Sequence, residues 1–162
     1  MTIGNQLTLP GLKTHFSHNR KSVGMAGEIA IALALQERGY PVAANHKWGD
    51  LQVWTKDMKK TAYIEVKTAR RGKDGFYNFT LRKDGCTDHR NADLIILVCL
   101  LKTGDAIPFV VPVTVLYEQK KCSITSDPWN YKGKLSPYRQ NLKTLSLEKP
   151  LAELGDFFDY IP

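Results

Sequence analysis

The chain has little cysteine and no long apolar run. Its three cysteines, Cys86, Cys99 and Cys122, are odd in number and form no CxxC pair. This pattern argues against both a structural zinc site and a disulfide framework. No apolar segment approaches membrane-spanning length, and the N-terminus lacks the apolar core of a signal peptide. We therefore expect no membrane partner, and a reducing cytoplasm as the compartment.

Acidic residues are missing from the first 21 positions, and basic residues are missing from positions 150–162. Over the whole chain positive charge prevails, with a formal net charge of +7 and a pI near 9.3. Residues 66–90 carry seven Lys or Arg against three acids, and residues 118–149 also carry seven against three. A chain of this charge is expected to have a polyanionic partner, most simply nucleic acid.

The length of 162 residues and the 43% hydrophobic content fit one globular domain. We expect a single domain over 1–162, with an irregular arm at about 1–16 and a basic extension at about 118–149. Helical spacing of apolar residues predicts a helix from about Arg20 to Arg38, buried on most sides. Strand-like segments follow, which makes the chain an α/β protein; they lie at 40–45, 50–55, 62–68, 76–82, 94–101 and 109–115.

Two charged residues, Glu65 and Lys67, stand in an otherwise β-prone apolar run. Side chains two apart in a strand share a face, so these two point the same way. Asp50 begins the preceding strand. If the hairpin loop has an even number of residues, Asp50 lies opposite Glu65 or Lys67, and a two- or four-residue loop centred on Asp57-Met58 places it opposite Glu65. That register would bring two carboxylates and one ammonium together at one end of the sheet.

Such a group of side chains suits Mg²⁺, which prefers oxygen ligands and takes one or two protein carboxylates. The candidate ligands are Asp50, Glu65 and the backbone carbonyl of Val66. Lys67 would orient or deprotonate a metal-bound water, or act as an electrostatic clamp. Glu28 is an acid on an apolar helix, where an isolated charge needs a partner, so we expect it to support the same site.

These residues carry a family resemblance. Glu28 on a first helix, Gly49-Asp50 and Glu65-Val66-Lys67 resemble the active-site core of the PD-(D/E)xK nuclease superfamily, over about residues 20–70. The order of elements is similar to that of archaeal Holliday-junction resolvases. Stretches at 75–79, 93–98, 110–112 and 131–139 resemble homing endonucleases encoded by or near group I introns of cyanobacteria and their phages. The resemblance implies a restriction-endonuclease-like fold, a central mixed β-sheet flanked by helices.

The resemblance also implies a function, that of a metal-dependent DNA endonuclease. It assigns Asp50 and Glu65 as metal ligands, Lys67 as the catalytic lysine and Glu28 as an auxiliary carboxylate. The implied cofactor is Mg²⁺, with Mn²⁺ able to substitute and no small-molecule cofactor. Cutting both strands of a duplex takes two sites, so a homo-oligomer, at least a dimer, is expected. The implied location is the cytoplasm of a bacterial, archaeal or phage-infected cell.

Three functions remain open at this point. The leading one is a nuclease that is sequence-specific on duplex DNA, of homing or restriction type. A structure-specific Holliday-junction resolvase would use the same catalytic residues, and a non-cleaving DNA-binding module would share only the fold. For all three we expect a phosphate-contacting surface beside the site, made of Arg70, Arg71, Lys73, Arg82, Lys83 and Arg90.

Aromatic residues are interspersed among the lysines of the C-terminal part of the chain. The sequence leaves two interpretations open for Trp129, Tyr131 and Tyr138. They would either pack along bound DNA or anchor the C-terminal segment to the rest of the domain.

Overall fold

The computed structural model describes residues 20–45, 49–81 and 91–139. Those ranges contain a single α-helix, α1 (Arg20–Glu37), which precedes all the strands. Short 3₁₀ turns lie at Val113–Leu116, Pro128–Asn130 and Ser136–Tyr138. The predicted α/β fold with a central mixed sheet is confirmed. Its strands are β1 (Val42–Ala44), β2 (Leu51–Trp54), β3 (Thr61–Arg70), β4 (Tyr77–Thr80), β5 (Leu94–Leu100), β6 (Ala106–Pro112) and β7 (Lys121–Ile124).

Five strands form the main sheet, in the order β1-β2-β3-β5-β6. The β1–β2, β2–β3 and β5–β6 pairs are antiparallel, whereas β3 and β5 at the centre are parallel. The apolar run of β5 is explained by this position, because a central strand is covered on both faces. The remaining strands, β4 and β7, pair with each other as a separate antiparallel ribbon.

Helix α1 packs on one face of the sheet and is followed by Gly39, whose positive φ of 83° is the conformation that often terminates a helix. Its outer side carries apolar residues that stay partly exposed: Met25 at 54%, Ile29 at 40% and Leu33 at 38%. The expectation of a helix buried on most sides is therefore wrong, since α1 contacts the sheet along a single stripe. The core beneath it comprises Ile31, Leu35, Tyr40, Leu51, Val53, Ala62, Ile64, Val66, Leu94, Ile96, Val98, Ala106 and Val110.

A second apolar cluster lies on the opposite face of the sheet, where the β4–β7 ribbon packs. Trp129, Tyr131 and Tyr138 pack against this cluster, and the ring of Tyr131 meets Phe109 edge to face at 5.8 Å. These aromatic residues therefore anchor the chain that follows β7. The buried members of the cluster are Ala69, Tyr77, Phe79, Leu81, Ile95, Leu97, Cys99, Ile107, Phe109, Val111, Val113, Leu116, Ile124 and Leu135.

Part of the basic segment at 118–149 is built into this second layer, through β7 and through a backbone bridge from Arg139 to Phe109. The expected arm at about 1–16 lies outside the described residues, as do Arg82, Lys83 and Arg90. Across the three described ranges, no helix combines the length and the apolar character needed to cross a membrane.

Candidate active site at the end of strand β3

The hairpin of β2 and β3 sets the register of the candidate site. Leu51, the first residue of β2, pairs with Ile64, and continuing this register by one position brings Asp50 opposite Glu65. At the other end the N–H of Thr55 donates to the carbonyl of Lys60 at 3.0 Å. Four residues therefore form the loop, centred on Asp57-Met58, and this is one of the two loop lengths for which the sequence predicts the Asp50–Glu65 pairing.

Asp50 is held by both its backbone and its side chain. Its N–H donates to the carbonyl of Ile64 at 2.8 Å, and its own carbonyl accepts from Asn45 at 2.9 Å. Its carboxylate oxygen Oδ2 accepts from the N–H of Val66 at 2.7 Å. In an extended strand the N–H and C=O of one residue point to the same side, so the Val66 carbonyl faces the Asp50 side of β3. The Asp50 carboxylate and the Val66 carbonyl oxygen thus lie on the same side of β3, where β2 begins.

Gly49 allows this close approach of Asp50 to β3. A Cβ at position 49 would lie 2.6 Å from the carbonyl oxygen of Ile64 and 2.9 Å from its carbonyl carbon. Both are backbone atoms of a central strand and have little freedom to move. Glycine is therefore the residue that lets the chain enter β2 at this distance, a requirement that the sequence alone does not reveal.

Glu65 and Lys67 form an ion pair on one face of β3. Lys67 Nζ donates to Glu65 Oε1; the Glu65 side chain is 19% exposed and the Lys67 side chain 31%. Ile64 and Val66 point to the other face and are buried. The alternation predicted from the sequence is confirmed, and the two charges are paired at the border between the core and solvent.

Glu28 lies on α1, the helix that packs on the other face of the sheet. The preceding residue, Gly27, packs so closely on β3 that a Cβ there would overlap the hydroxyl oxygen of Thr68. Thr68 follows Lys67 and shares the helix-facing side with Val66. Glu28 is half-buried beside this contact. The structure therefore brings Asp50, Val66 and the Glu65–Lys67 pair together, and it places Glu28 on the helix that covers the opposite face.

An open groove of about 1170 Å³ begins at Lys67 and runs past the end of β3. Among the described residues, its charged lining is entirely basic: Lys67, Arg70, Arg71, Lys73 and Lys102. Arg70, Arg71 and Lys73 are among the residues that the sequence predicts for phosphate contact, and all three are exposed. Lys102, in the turn between β5 and β6, was not predicted, because only the pairing of β3 with β5 brings that turn to the same end of the sheet.

In the described part of the chain, no three His, Cys, Asp or Glu side chains are grouped so as to hold a metal ion. The oxygen donors that the structure does collect are two carboxylates, Asp50 and Glu65, and the Val66 carbonyl. Mg²⁺ typically takes one or two protein carboxylates and completes its shell with water and substrate oxygens. The donor set is thus of the kind and number that Mg²⁺ uses.

Comparison with known proteins shows a structural likeness to a solved protein. No protein-family model matches the chain, and no curated protein matches it in sequence. The fold is similar to that of the bacterial homing endonuclease I-Ssp6803I, with a TM-score of 0.56 at 19% sequence identity. The match covers 85% of this chain and 98% of that chain. At this identity, the likeness shows a shared fold.

Proposed function

We propose that this chain is a metal-dependent DNA endonuclease that hydrolyses phosphodiester bonds in duplex DNA at specific sequences. The observation that carries the proposal is the hydrogen bond that holds the Asp50 carboxylate against Val66, between Glu65 and Lys67, beside a basic groove that Lys67 helps to line. The fold shared with a protein described as a homing endonuclease supports the same conclusion. A polyanion lying in the groove would come within reach of Lys67, one of its lining residues.

We propose Mg²⁺ as the cofactor, with Mn²⁺ as a substitute, since both favour oxygen ligands. Asp50, Glu65 and the Val66 carbonyl would hold it. When bound, the ion supplies charge to stabilise the scissile phosphate and lowers the pKa of a bound water. The hydrogen bond from Val66 N–H fixes the Asp50 carboxylate in advance, so little reorganisation is needed to present it to a ligand.

Lys67 has two proposed tasks. In the structure its ammonium neutralises Glu65 and keeps the two charges paired. With substrate present, the same ammonium would hold the phosphate charge and orient the attacking water. The ion pair with Glu65 supports this clamp role, because it already uses the positive charge of the side chain. Glu28 is proposed as an auxiliary carboxylate that supports the site from α1.

The basic groove is the proposed path of the DNA backbone. Arg70, Arg71 and Lys73 follow Lys67 along the chain and line the groove with it, and Lys102 joins them from the β5–β6 turn. Contacts of this type give affinity without sequence preference and weaken steeply with salt. Hydrolysis of both strands would take two such sites, so we propose that the active form is a homo-oligomer, at least a dimer. Size-exclusion chromatography with light scattering measures this.

The catalytic assignment is tested by nicking of supercoiled plasmid in Mg²⁺. Wild type is expected to cut, Lys67→Ala to lose activity by about 100-fold or more, and EDTA to abolish cutting. Lys59→Ala is the matched control: Lys59 is an exposed lysine in the β2–β3 loop, at the far end of the hairpin. Equal activity of wild type and Lys67→Ala would refute the assignment, and so would wild-type cutting that persists in EDTA.

The resolvase alternative is tested with the same active protein. A four-way junction and a linear duplex of the same sequence are offered as substrates. The proposal expects cutting at defined positions of the duplex. A preference for the junction whatever its sequence would instead identify a structure-specific resolvase. Binding of DNA with no cutting by wild type in Mg²⁺ or Mn²⁺ would identify a binding module.

A further inference from the structure

The β4–β7 ribbon has one buried face and one polar face. Tyr77, Phe79 and Ile124 are buried in the second apolar cluster. The opposite face carries two cross-strand pairs, Asn78 with Ser123 and Thr80 with Lys121. All four of these side chains are exposed. The ribbon thus presents to solvent a flat row of hydrogen-bonding side chains that includes one cation and no acid.

Asn78 at the centre of this polar face is oriented by its neighbours. Its Oδ1 accepts from Ser123 Oγ at 2.6 Å, and its Nδ2 donates to Asp74 Oδ2 at 2.8 Å. Asp74 is itself fixed, because its Oδ1 accepts from the N–H of Phe76 at 3.0 Å. The pKa of the Asp74 carboxyl is lowered by the Phe76 N–H and then by the Asn78 amide, so the anchor stays ionised near neutral pH.

Holding an exposed amide in one orientation costs side-chain entropy and adds little stability. An amide so fixed retains one N–H and one lone pair for a ligand. That donor–acceptor combination is the one with which asparagine recognises an adenine edge in the major groove. Fixing the Asn78 amide in one orientation therefore favours recognition of a ligand, whereas it adds little to the stability of the fold.

The ribbon is continuous with the proposed cleavage site. Asn78 and Thr80 line the same groove as Lys67, Arg71 and Lys73. A backbone bridge between Arg71 and Tyr77 joins the end of β3 to the start of β4. DNA whose phosphates lie along the groove cations would have its base edges next to the ribbon. A two-stranded ribbon is one of the two elements that fit the major groove.

From these contacts we infer that the polar face of the β4–β7 ribbon enters the major groove of duplex DNA and reads base edges through Asn78 and Ser123. The inference rests on the proposed function in one respect, the placement of DNA along the groove that starts at Lys67. The cations position the duplex and the ribbon selects the sequence, which divides affinity and specificity between two neighbouring sets of residues.

The test is selection of bound duplexes from a library with a randomised central segment, in Ca²⁺ so that binding is measured apart from cleavage. Wild type is expected to enrich a defined sequence. Asn78→Ala is expected to lose discrimination at one or two adjacent positions by about 5- to 150-fold, the range for one bidentate base contact. Lys73→Ala is expected to weaken binding to all sequences alike and to reduce its salt dependence.

Asn130→Ala is the matched control. Asn130 is also an exposed asparagine whose Nδ2 donates to an aspartate, Asp127, at 2.7 Å, but it lies off the ribbon. Its replacement is expected to leave the selected sequence unchanged. Ser123→Ala serves as a second ribbon variant if Asn78→Ala fails to fold, and thermal melting reports the fold of each variant.

The inference is overturned if Asn78→Ala and Ser123→Ala both select the wild-type sequence. It is also overturned if wild type selects no sequence or does not bind the library. A changed preference in the ribbon variants supports it, whether or not wild type cuts plasmid in Mg²⁺. Failure of cutting alone therefore counts against the nuclease and not against the ribbon, so that the two proposals are separately refutable.

Discussion

Replacing Gly49 with alanine is expected to displace Asp50 from the candidate site. The new Cβ would lie 2.6 Å from the carbonyl oxygen of Ile64, where ordinary contact begins at 3.4 Å. To relieve this overlap, the two backbones must move apart by the difference between these two distances. The hydrogen bond from the Asp50 N–H to the Ile64 carbonyl then lengthens from 2.8 Å to beyond hydrogen-bonding range. The carboxylate contact with Val66, now 2.7 Å, is lost in the same movement.

The two lost hydrogen bonds set the expected magnitude. A neutral backbone bond contributes about 1 kcal/mol and a bond to a carboxylate about 1.5–3 kcal/mol, so Gly49→Ala is expected to destabilise the fold by about 2–4 kcal/mol. For a chain of this size, that lowers the melting temperature by about 5–15 °C. Any plasmid cleavage should fall by about 100-fold, since a catalytic group would be misplaced by nearly an ångström.

Gly24→Ala is the control for this substitution. Gly24 lies in α1, and a Cβ there would meet nothing within 4 Å. Alanine favours a helix over glycine by about 1 kcal/mol, so this variant is expected to keep its melting temperature or raise it by a few degrees. Scanning calorimetry and nicking of supercoiled plasmid measure both effects. If Gly49→Ala melts and cuts as wild type does, the close approach does not position Asp50, and the reasoning fails.

Three further predictions concern other parts of the molecule. Gly27→Ala is expected to lower the free energy of unfolding in urea by about 1–3 kcal/mol, because its Cβ would overlap the Thr68 hydroxyl; an unchanged transition would contradict the tight packing of α1 on β3. The Thr55 hydroxyl, and then a backbone N–H, lower the pKa of Asp57 in the folded state. The resulting stability is therefore present above about pH 4 and lost as the pH falls through the folded-state pKa. The melting temperature of Asp57→Asn should thus lie below that of wild type at pH 7 and converge with it in acid. Burial raises the pKa of the Cys122 thiol to about 11, so iodoacetamide at pH 8 should modify it about 10- to 100-fold more slowly in the folded than in the denatured chain, as peptide mass spectrometry can show.

The sequence predicts the parts of this fold that depend on local pattern. The first helix and the hairpin register are recoverable because helical spacing, strand alternation and an even loop are short-range properties. Asp50 could be placed opposite Glu65 for the same reason. The candidate site is thus largely a product of one hairpin, and a hairpin is the element of a sheet that sequence specifies best.

The features that the sequence does not reveal depend on contacts with residues far away in the chain. Strand β7 reads as a polar, basic stretch and becomes a strand only through its pairing with β4. Lys102 joins the groove because β3 and β5 are parallel neighbours, a pairing that no local pattern encodes. The role of Gly49 requires knowing which backbone lies across from it. Each of these residues is determined by tertiary contact and not by its own neighbours in the chain.

The pairing of β4 with β7 has a consequence for the order in which parts of the chain fold during synthesis. Tyr77 pairs with Ile124, which is far away in the sequence, whereas Leu51 pairs with Ile64, which lies only thirteen positions later in the chain. Contacts between close residues form quickly, and those that close long loops form slowly. During synthesis the hairpin with Asp50, Glu65 and Lys67 can therefore assemble before the ribbon has both of its strands. A chain released early or trimmed before residue 121 would carry the residues proposed to cut DNA without the surface proposed to choose where they act.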